Sequence, residues 1–203
     1  QDQNGVCGRI DLEVTVPTSG TVFIAGSIAI SRLHPVVCDR ITNAVDRDMA
    51  VVVGDADGAD TAIQRVLADL QTASVTVYCS GDKPRNNIGD WPVEHIYPDA
   101  PSGTRRWFTA KDLAMAEAAD YGLMIWDSRS TGTLSNVIEL LGANKKSVVF
   151  VNKNKEFVRV SDLDGLDRLI AMMSATARDK AEQKIRLTNK ISALRHQQGA
   201  LTF

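Results

Sequence analysis

DYGLMIWDSRSTGTLSNVIELLG, residues 120–142, holds a short apolar run (Leu123, Met124, Ile125, Trp126), a polar turn, and an amphipathic pattern that starts at a Gly-Thr pair. This is the pattern of a buried strand running into a helix N-terminus. At such a junction the first helical N–H groups lack intrahelical partners and the aligned peptide dipoles place partial positive charge there, so phosphates and carboxylates bind readily. Asp127 stands at the carboxyl end of the strand, Ser130, Thr131 and Thr133 bring hydroxyls, and Gly132 lets a ligand approach the main chain closely. The same residues also suit an ordinary turn, with Thr131 or Thr133 as N-cap and Asp127 as a turn former.

Toward the N-terminus, TVFIAG (21–26) has the composition of a first buried strand, Gly26-Ser27-Ile28 opens a loop, and Pro35 starts a helix ending near Asp48. A second strand, 50–53, leads through Gly54-Asp55-Ala56-Asp57-Gly58-Ala59-Asp60 into a helix whose buried face is Ala62, Ile63, Val66, Leu67 and Leu70. The two glycines allow the main chain to wrap an anion, but three aspartates repel one unless they cap amides or bind ribose hydroxyls. The loop therefore suits a sugar or a nucleoside edge better than a bare triphosphate. It has neither the lysine of a Walker loop nor the usual dinucleotide glycine spacing. In structural terms Asp57 or Asp60 would be helix caps and Gly58 a tight turn. Replacing Gly58 by valine is expected to abolish ligand binding and leave the fold intact.

A third strand is expected at 74–79, followed by an aperiodic stretch, 80–106, broken only by a short strand near 93–97. A segment this long is uncommon in a compact domain unless it forms a lid or wall. Arg85, Arg105, Arg106, Trp91 and Trp107 offer phosphate and base contacts there, or surface ion pairs and packing. The next helix, 108–119, is expected to carry Lys111, Asp112 and Glu117 on its polar side, with Leu113, Met115, Ala116 and Ala119 toward the core. A last buried strand follows at 147–151.

The tail from 161 is helical, with one stripe of Leu163, Leu166, Leu169, Ile170 and Met173. A thinner stripe of Ala181, Ile185, Leu187, Ile191 and Leu194 follows over 175–196. So polar a helix packs on a neighbour or a second subunit, so a homo-oligomer is expected, with deletion of 175–203 lowering its mass. At the other end, Ile10, Leu12, Val14 and Val16 alternate with polar residues as an edge strand or lead-in, stopped by Pro17 and Gly20. The alternation of strands and helices predicts an α/β protein: a lead-in at 1–20, a largely parallel sheet with helices on both faces over 21–160, and a helical extension over 161–203. Ligands of such sheets bind beyond the carboxyl ends of the strands, where strand order reverses. The loops after Gly26, Val53, Cys79 and Trp126 all fall there.

A chain of 203 residues with 44% hydrophobic and 24% charged residues suits one soluble domain. No apolar run is long enough to span a bilayer, and QDQNG lacks the marks of a signal peptide, so a cytoplasmic protein is expected. Cys7, Cys38 and Cys79 are odd in number and have no metal-ligand spacing, which points to free thiols and no metal site. A net charge of -2 argues against a broad nucleic-acid footprint.

FIAGS, VVVGDADGAD and KDLAMAEAADYGLMIWDSRSTGTLSNVIELL, in this order, resemble the SLOG superfamily of Rossmann-like nucleotide-binding domains. That superfamily is related to the Lonely-guy phosphoribohydrolases and to DNA-processing protein A, and the likeness is to its small stand-alone bacterial members. The resemblance covers about 21–151 and implies a Rossmann-like fold and a nucleotide or nucleotide-derived ligand, with no further cofactor. It implies contacts from Gly26 and Ser27, from Gly54, Gly58, Ala59 and Asp60, and from Asp127, Gly132 and Thr133. In related nucleotide N-glycosidases a glutamate follows the Gly-Thr turn by three residues. Here that position is Asn136, which cannot act as a nucleophile or titrating base.

The leading expectation is thus a nucleotide or NAD-derived ligand bound by a sensor or accessory protein. In one alternative, N-glycosidic hydrolysis of nucleoside monophosphates, Asp127, Glu117 or Glu139 would replace the glutamate. The other, single-stranded DNA binding, is disfavoured by the charge.

Overall fold

The computed structural model describes residues 20–200, the last three by backbone alone. The alternation expected for 1–19 and Cys7 lie outside the described residues. Seven strands form one sheet in the order β4-β3-β2-β1-β5-β6-β7. They are β1 (Thr21–Gly26), β2 (Ala50–Gly54), β3 (Val75–Ser80), β4 (Val93–Ile96), β5 (Tyr121–Trp126), β6 (Lys146–Val151) and β7 (Glu156–Val160). All pairs are parallel except β6 with β7. The fold is α/β and Rossmann-like. Strand order reverses between β1 and β5, so the loops after Gly26 and Trp126 part there and leave a crevice at the carboxyl edge.

The two faces of the sheet are covered unequally. Val22, Ile24, Val51, Val53, Leu123 and Ile125 point to α1 (Pro35–Val45) and α2 (Ala59–Asp69), meeting Val37, Ile41, Ile63 and Leu67. Phe23, Met124, Trp126, Val149 and Val151 point the other way, to α3 (Arg105–Ala118) and α4 (Thr131–Gly142). Alternation within runs that are apolar on both sides is what a strand covered on both faces requires. The helices α5 (Leu163–Ala171), α6 (Ala175–Ile185) and α7 (Leu187–Ala200) extend this second layer. No helix among the described residues is long and apolar enough to cross a membrane.

Four expectations are corrected. The strand at 146–151 is not the last: the chain turns back through 152–155 and adds β7 antiparallel at the edge, with Lys155 at φ 58. On the helix at 105–118, Met115 and Ala116, with Ala119 after it, are buried as expected, but Lys111 is buried with them whereas Leu113 is 52% exposed. The tail at 175–196 is two helices, broken where Arg186 takes a left-handed conformation, φ 51. Its thin stripe, Ala177, Ala181, Ile185, Leu187 and Leu194, packs in the same core cluster as Leu134, Val137 and Leu141 of α4, so the apolar surface assigned to a second subunit is covered by the chain itself.

Gly58 sits at φ 78, ψ -120 immediately before α2, and a Cβ there would fall on the backbone of Ile28 in the loop after β1. The position holds two loops together and does not tolerate a side chain, contrary to the expectation that valine would spare the fold. Gly58→Ala is predicted to destabilise the protein by about 2 kcal/mol or more, from backbone strain and the displaced loop, read as a lower urea midpoint at unchanged m-value.

Candidate functional site

At the crevice the loops after β1 and β5 are tied together by side chains. Ser27 Oγ donates to Asp127 Oδ1 at 3.1 Å and accepts from the Asp127 amide at 3.1 Å. Asp127 Oδ1 also accepts from the amides of Arg129 (2.9 Å) and Ser130 (2.7 Å), a turn made possible by Ser128 at φ 64. Asp127 Oδ1 is thereby occupied in shaping the turn. Ser130, not Thr131 or Thr133, is the N-cap of α4: its hydroxyl accepts from the Thr133 amide. The buried indole of Trp126 donates to the Ser130 carbonyl at 3.0 Å and fixes where the helix begins.

A cavity of about 460 Å³ opens beside this turn. Gly26 lines it at the end of β1 and Ile28 in the loop after it, Ala56 in the loop after β2 and Asp60 in the first turn of α2, and Ser130, Thr131, Gly132, Thr133 and Asn136 from the N-cap and first turns of α4. From α3 come Arg105, Phe108, Thr109 and Asp112, whose spacing places them on one helical face, together with Lys111. Lys180 and Lys184, one turn apart on α6, close the remaining side. A second chamber of about 230 Å³ shares Arg105, Thr109, Asp112, Gly132, Asn136 and Lys184 with the first.

The rim is cationic. Both terminal nitrogens of Arg105 donate to Thr131 Oγ1 at 3.2 Å, which carries the guanidinium to the first turn of α4. Among the described residues, Arg105, Lys180 and Lys184 have no carboxylate partner. A Cβ on Gly132 would come no closer than 3.9 Å to any neighbouring atom, so its main chain faces open space. Ile28, 68% exposed, and Phe108, 39% exposed, are apolar groups at the mouth. Arg85 stacks over the Phe108 ring at 4.9 Å.

The floor is built from buried charges. Lys111 Nζ donates to Asp112 Oδ1 at 2.8 Å and stands 3.9 Å from both Asp55 and Asp60. Asp55 is gripped by Arg85 through Nε (3.1 Å), Nη2 (2.7 Å) and the main-chain amide (3.0 Å). Burial pushes the Asp55 carboxyl up, but the Arg85 hydrogen bonds and the Lys111 charge outweigh it and hold the group below the ordinary carboxylate range. Burial likewise pulls the Lys111 ammonium down, and Asp112 and Asp60 more than reverse it. For Asp60 burial wins over the pull of Lys111, and the carboxyl is raised to about 6. Arg85 and Lys111 are already partnered by Asp55 and Asp112, so a further negative charge at the buried Asp60 is costly.

Asn136 completes the floor. It is 6% exposed and lines both chambers, and among the described residues its carboxamide makes no hydrogen bond. The buried side-chain atoms without a partner among the described residues are Ser128 Oγ and Ser147 Oγ; the Asn136 carboxamide instead opens onto the cavity, where it can hydrogen-bond with what occupies the space.

Of the residues expected from the sequence, Gly26, Asp60, Arg85, Arg105, Ser130, Thr131, Gly132, Thr133 and Asn136 meet at this cavity. Ser27, Gly54, Asp57, Gly58, Ala59 and Asp127 stand behind it as supports. Gly54 leaves room for Asp60 and Lys111, Gly26 for Ala59, and Asp57 accepts from the Asn86 amide group at 3.0 Å. Neither Asp57 nor Asp60 caps α2, whose N-cap is Gly58; Asp60 accepts from the Ala56 amide. Glu139 is outside the larger chamber and ion-paired with Lys190 of α7. Glu117 is exposed at the last turn of α3, toward the amino ends of the strands, and Arg106 lies outside the lining. The sequence reading missed Lys111, Asp112, Lys180 and Lys184 as site residues. Only the i, i+4 spacing of the two lysines carried a signal, and it resembles any solvated helix face.

The Asp60 carboxyl binds a proton more tightly in the folded chain than in the unfolded one, so folded protein holds the extra proton between about pH 4 and pH 6. Stability is therefore predicted to fall as pH rises through that window. Asp60→Asn should lack the fall, which chemical denaturation at a series of pH values would show. No family model, curated protein or solved structure matches this chain.

Proposed function

We propose that this protein binds a nucleotide or nucleotide-derived molecule in the cavity at the strand-order reversal, as a sensor or accessory component. The observation that carries the reading is the set of unpaired cations, Arg105, Lys180 and Lys184, around the open first turn of α4 at Gly132. Unspent positive charge at a helix N-terminus is suited to a phosphate. Ile28 and Phe108 offer apolar surface for a base, and the resemblance to SLOG domains favours the same ligand class.

Hydrolysis of an N-glycosidic bond is the second reading, and one observation favours it. Asp60, buried, in the cavity and raised to about 6, is poised to exchange a proton near neutral pH. On this reading Asp60 does the work assigned from sequence to Asp127, Glu117 or Glu139.

Thermal-shift screening against nucleoside monophosphates and diphosphates, NAD, ADP-ribose and cyclic nucleotides is predicted to give stabilisation of about 2–3 kcal/mol at a hundredfold excess over Kd. Gly132→Val puts a side chain into the cradle at little cost to packing. It should weaken the best ligand at least tenfold with no loss of melting temperature, and Lys180→Gln and Lys184→Gln should each weaken it severalfold. No stabilisation by any compound would sink the reading. Chromatographic detection of free base that disappears in Asp60→Asn would instead favour the hydrolase.

A further inference from the structure

We infer that α6 is a strap drawn onto the cavity by a phosphate bound there, so that occupancy of the site is read out as protection of this helix. The inference rests on the phosphate-binding reading above and adds what binding does to the protein. The last two helices are attached differently. α7 is pinned to α4 by Lys190 on Glu139 and by Gln197, which donates to the Gly142 carbonyl at 2.9 Å, and to α5 by Arg195 on Asp167 at 3.3 Å. Among the described residues α6 makes no side-chain hydrogen bond or ion pair to α3 or α4; its polar ties run to its sequence neighbours, from Arg178 to the Ala171 carbonyl and from Thr188 to Glu182. What seats it is small and apolar, since its buried residues are Ala177, Ala181 and Ile185. Two methyl groups and one larger side chain remove little surface from water. Its joints are short, Met172 to Ser174 before it and the left-handed Arg186 after it.

Charge decides when this weakly held wall closes. Lys180 and Lys184 are exposed and one turn apart, where like charges repel, and both line the cavity together with Arg105. Arg105 is fixed by its two hydrogen bonds to Thr131, so the freedom to move belongs to α6. Three cations from two elements oppose the approach of α6 to α3, and a multivalent anion between them reverses the sign by attracting all three. A segment with few buried apolar contacts opens at low cost, and a ligand bound across its joint suppresses the opening.

The test is hydrogen–deuterium exchange of the full chain, read by mass spectrometry, in inorganic phosphate and in sodium chloride at equal ionic strength. Phosphorus NMR line broadening measures binding separately. At about a tenfold excess of phosphate over Kd, the amides of 175–185 are expected to exchange severalfold more slowly, with about tenfold as the ceiling. Those of β1 and β5 should not change. Combining Lys180→Gln with Lys184→Gln keeps helix propensity and removes both the repulsion and the anion contacts. In chloride the α6 amides of this variant should exchange more slowly than in wild type, and phosphate should slow them no further. Line broadening in wild type with no change over 175–185 would overturn the strap and leave phosphate binding standing. Exchange in chloride that the double substitution does not slow would overturn it as well, because the lysines would then not be holding the helix off. If phosphate causes no broadening, the strap falls with its closing ion, and stabilisation by nucleotides in the thermal-shift screen decides the parent reading by itself.

Discussion

Removing a carboxylate from water is costly unless its charge is matched, and Asp55, 3% exposed at the end of β2, is matched by a residue thirty positions later. The bidentate grip of Arg85 on Asp55 draws the stretch after β3 back over the sheet edge, and Asn86 follows by donating to the Asp55 carbonyl at 2.9 Å. Gln64 of α2 continues the seam. Fully buried, it donates to the carbonyls of Gly54 and Asn86 and accepts from the Ile88 amide. A segment without periodic structure becomes a fixed wall because its polar groups are consumed one by one. Trp91 anchors the far end by donating to the Thr72 carbonyl at 2.9 Å, away from the cavity.

The same charges impose a polarity on the cavity. Lys111 enters the interior on α3 because three aspartates await it, and it leaves the floor with more acceptors than donors. The cations that are free lie at the rim, on α3 and α6. Backbone and side chain therefore agree on direction: the positive end of α4 and the unpaired lysines face one end of the space, the carboxylates and the Asn136 amide the other.

Much of this was legible in the sequence. The runs at 21–26, 50–53 and 123–126 were apolar enough to be strands, and the glycines at or after their ends marked the loops that meet at the crevice. Lys111 was hidden because a lysine within an amphipathic pattern is normally assigned to solvent, and only tertiary pairing with Asp55, Asp60 and Asp112 reverses that preference. The strand β7 was hidden by brevity and by a turn, Asn152-Lys153-Asn154-Lys155, that carries no glycine although its last residue takes a positive φ. The break at Arg186 has the same origin. Asn136 was visible as a departure from a glutamate, but whether its amide is paired is a property of the packed chain alone.

The origin of Lys180 and Lys184 has a further consequence for a chain made from its N-terminus onward. The strands, the turn at Asp127 and the first turn of α4 are all synthesised before α6, which supplies two of the three rim cations. A nascent or prematurely ended chain can thus possess the helix terminus and the polar floor while lacking most of the charge that would hold a phosphate against them. On the proposed reading, competence to take up a phosphorylated ligand would be acquired late in translation, once the C-terminal helices have docked.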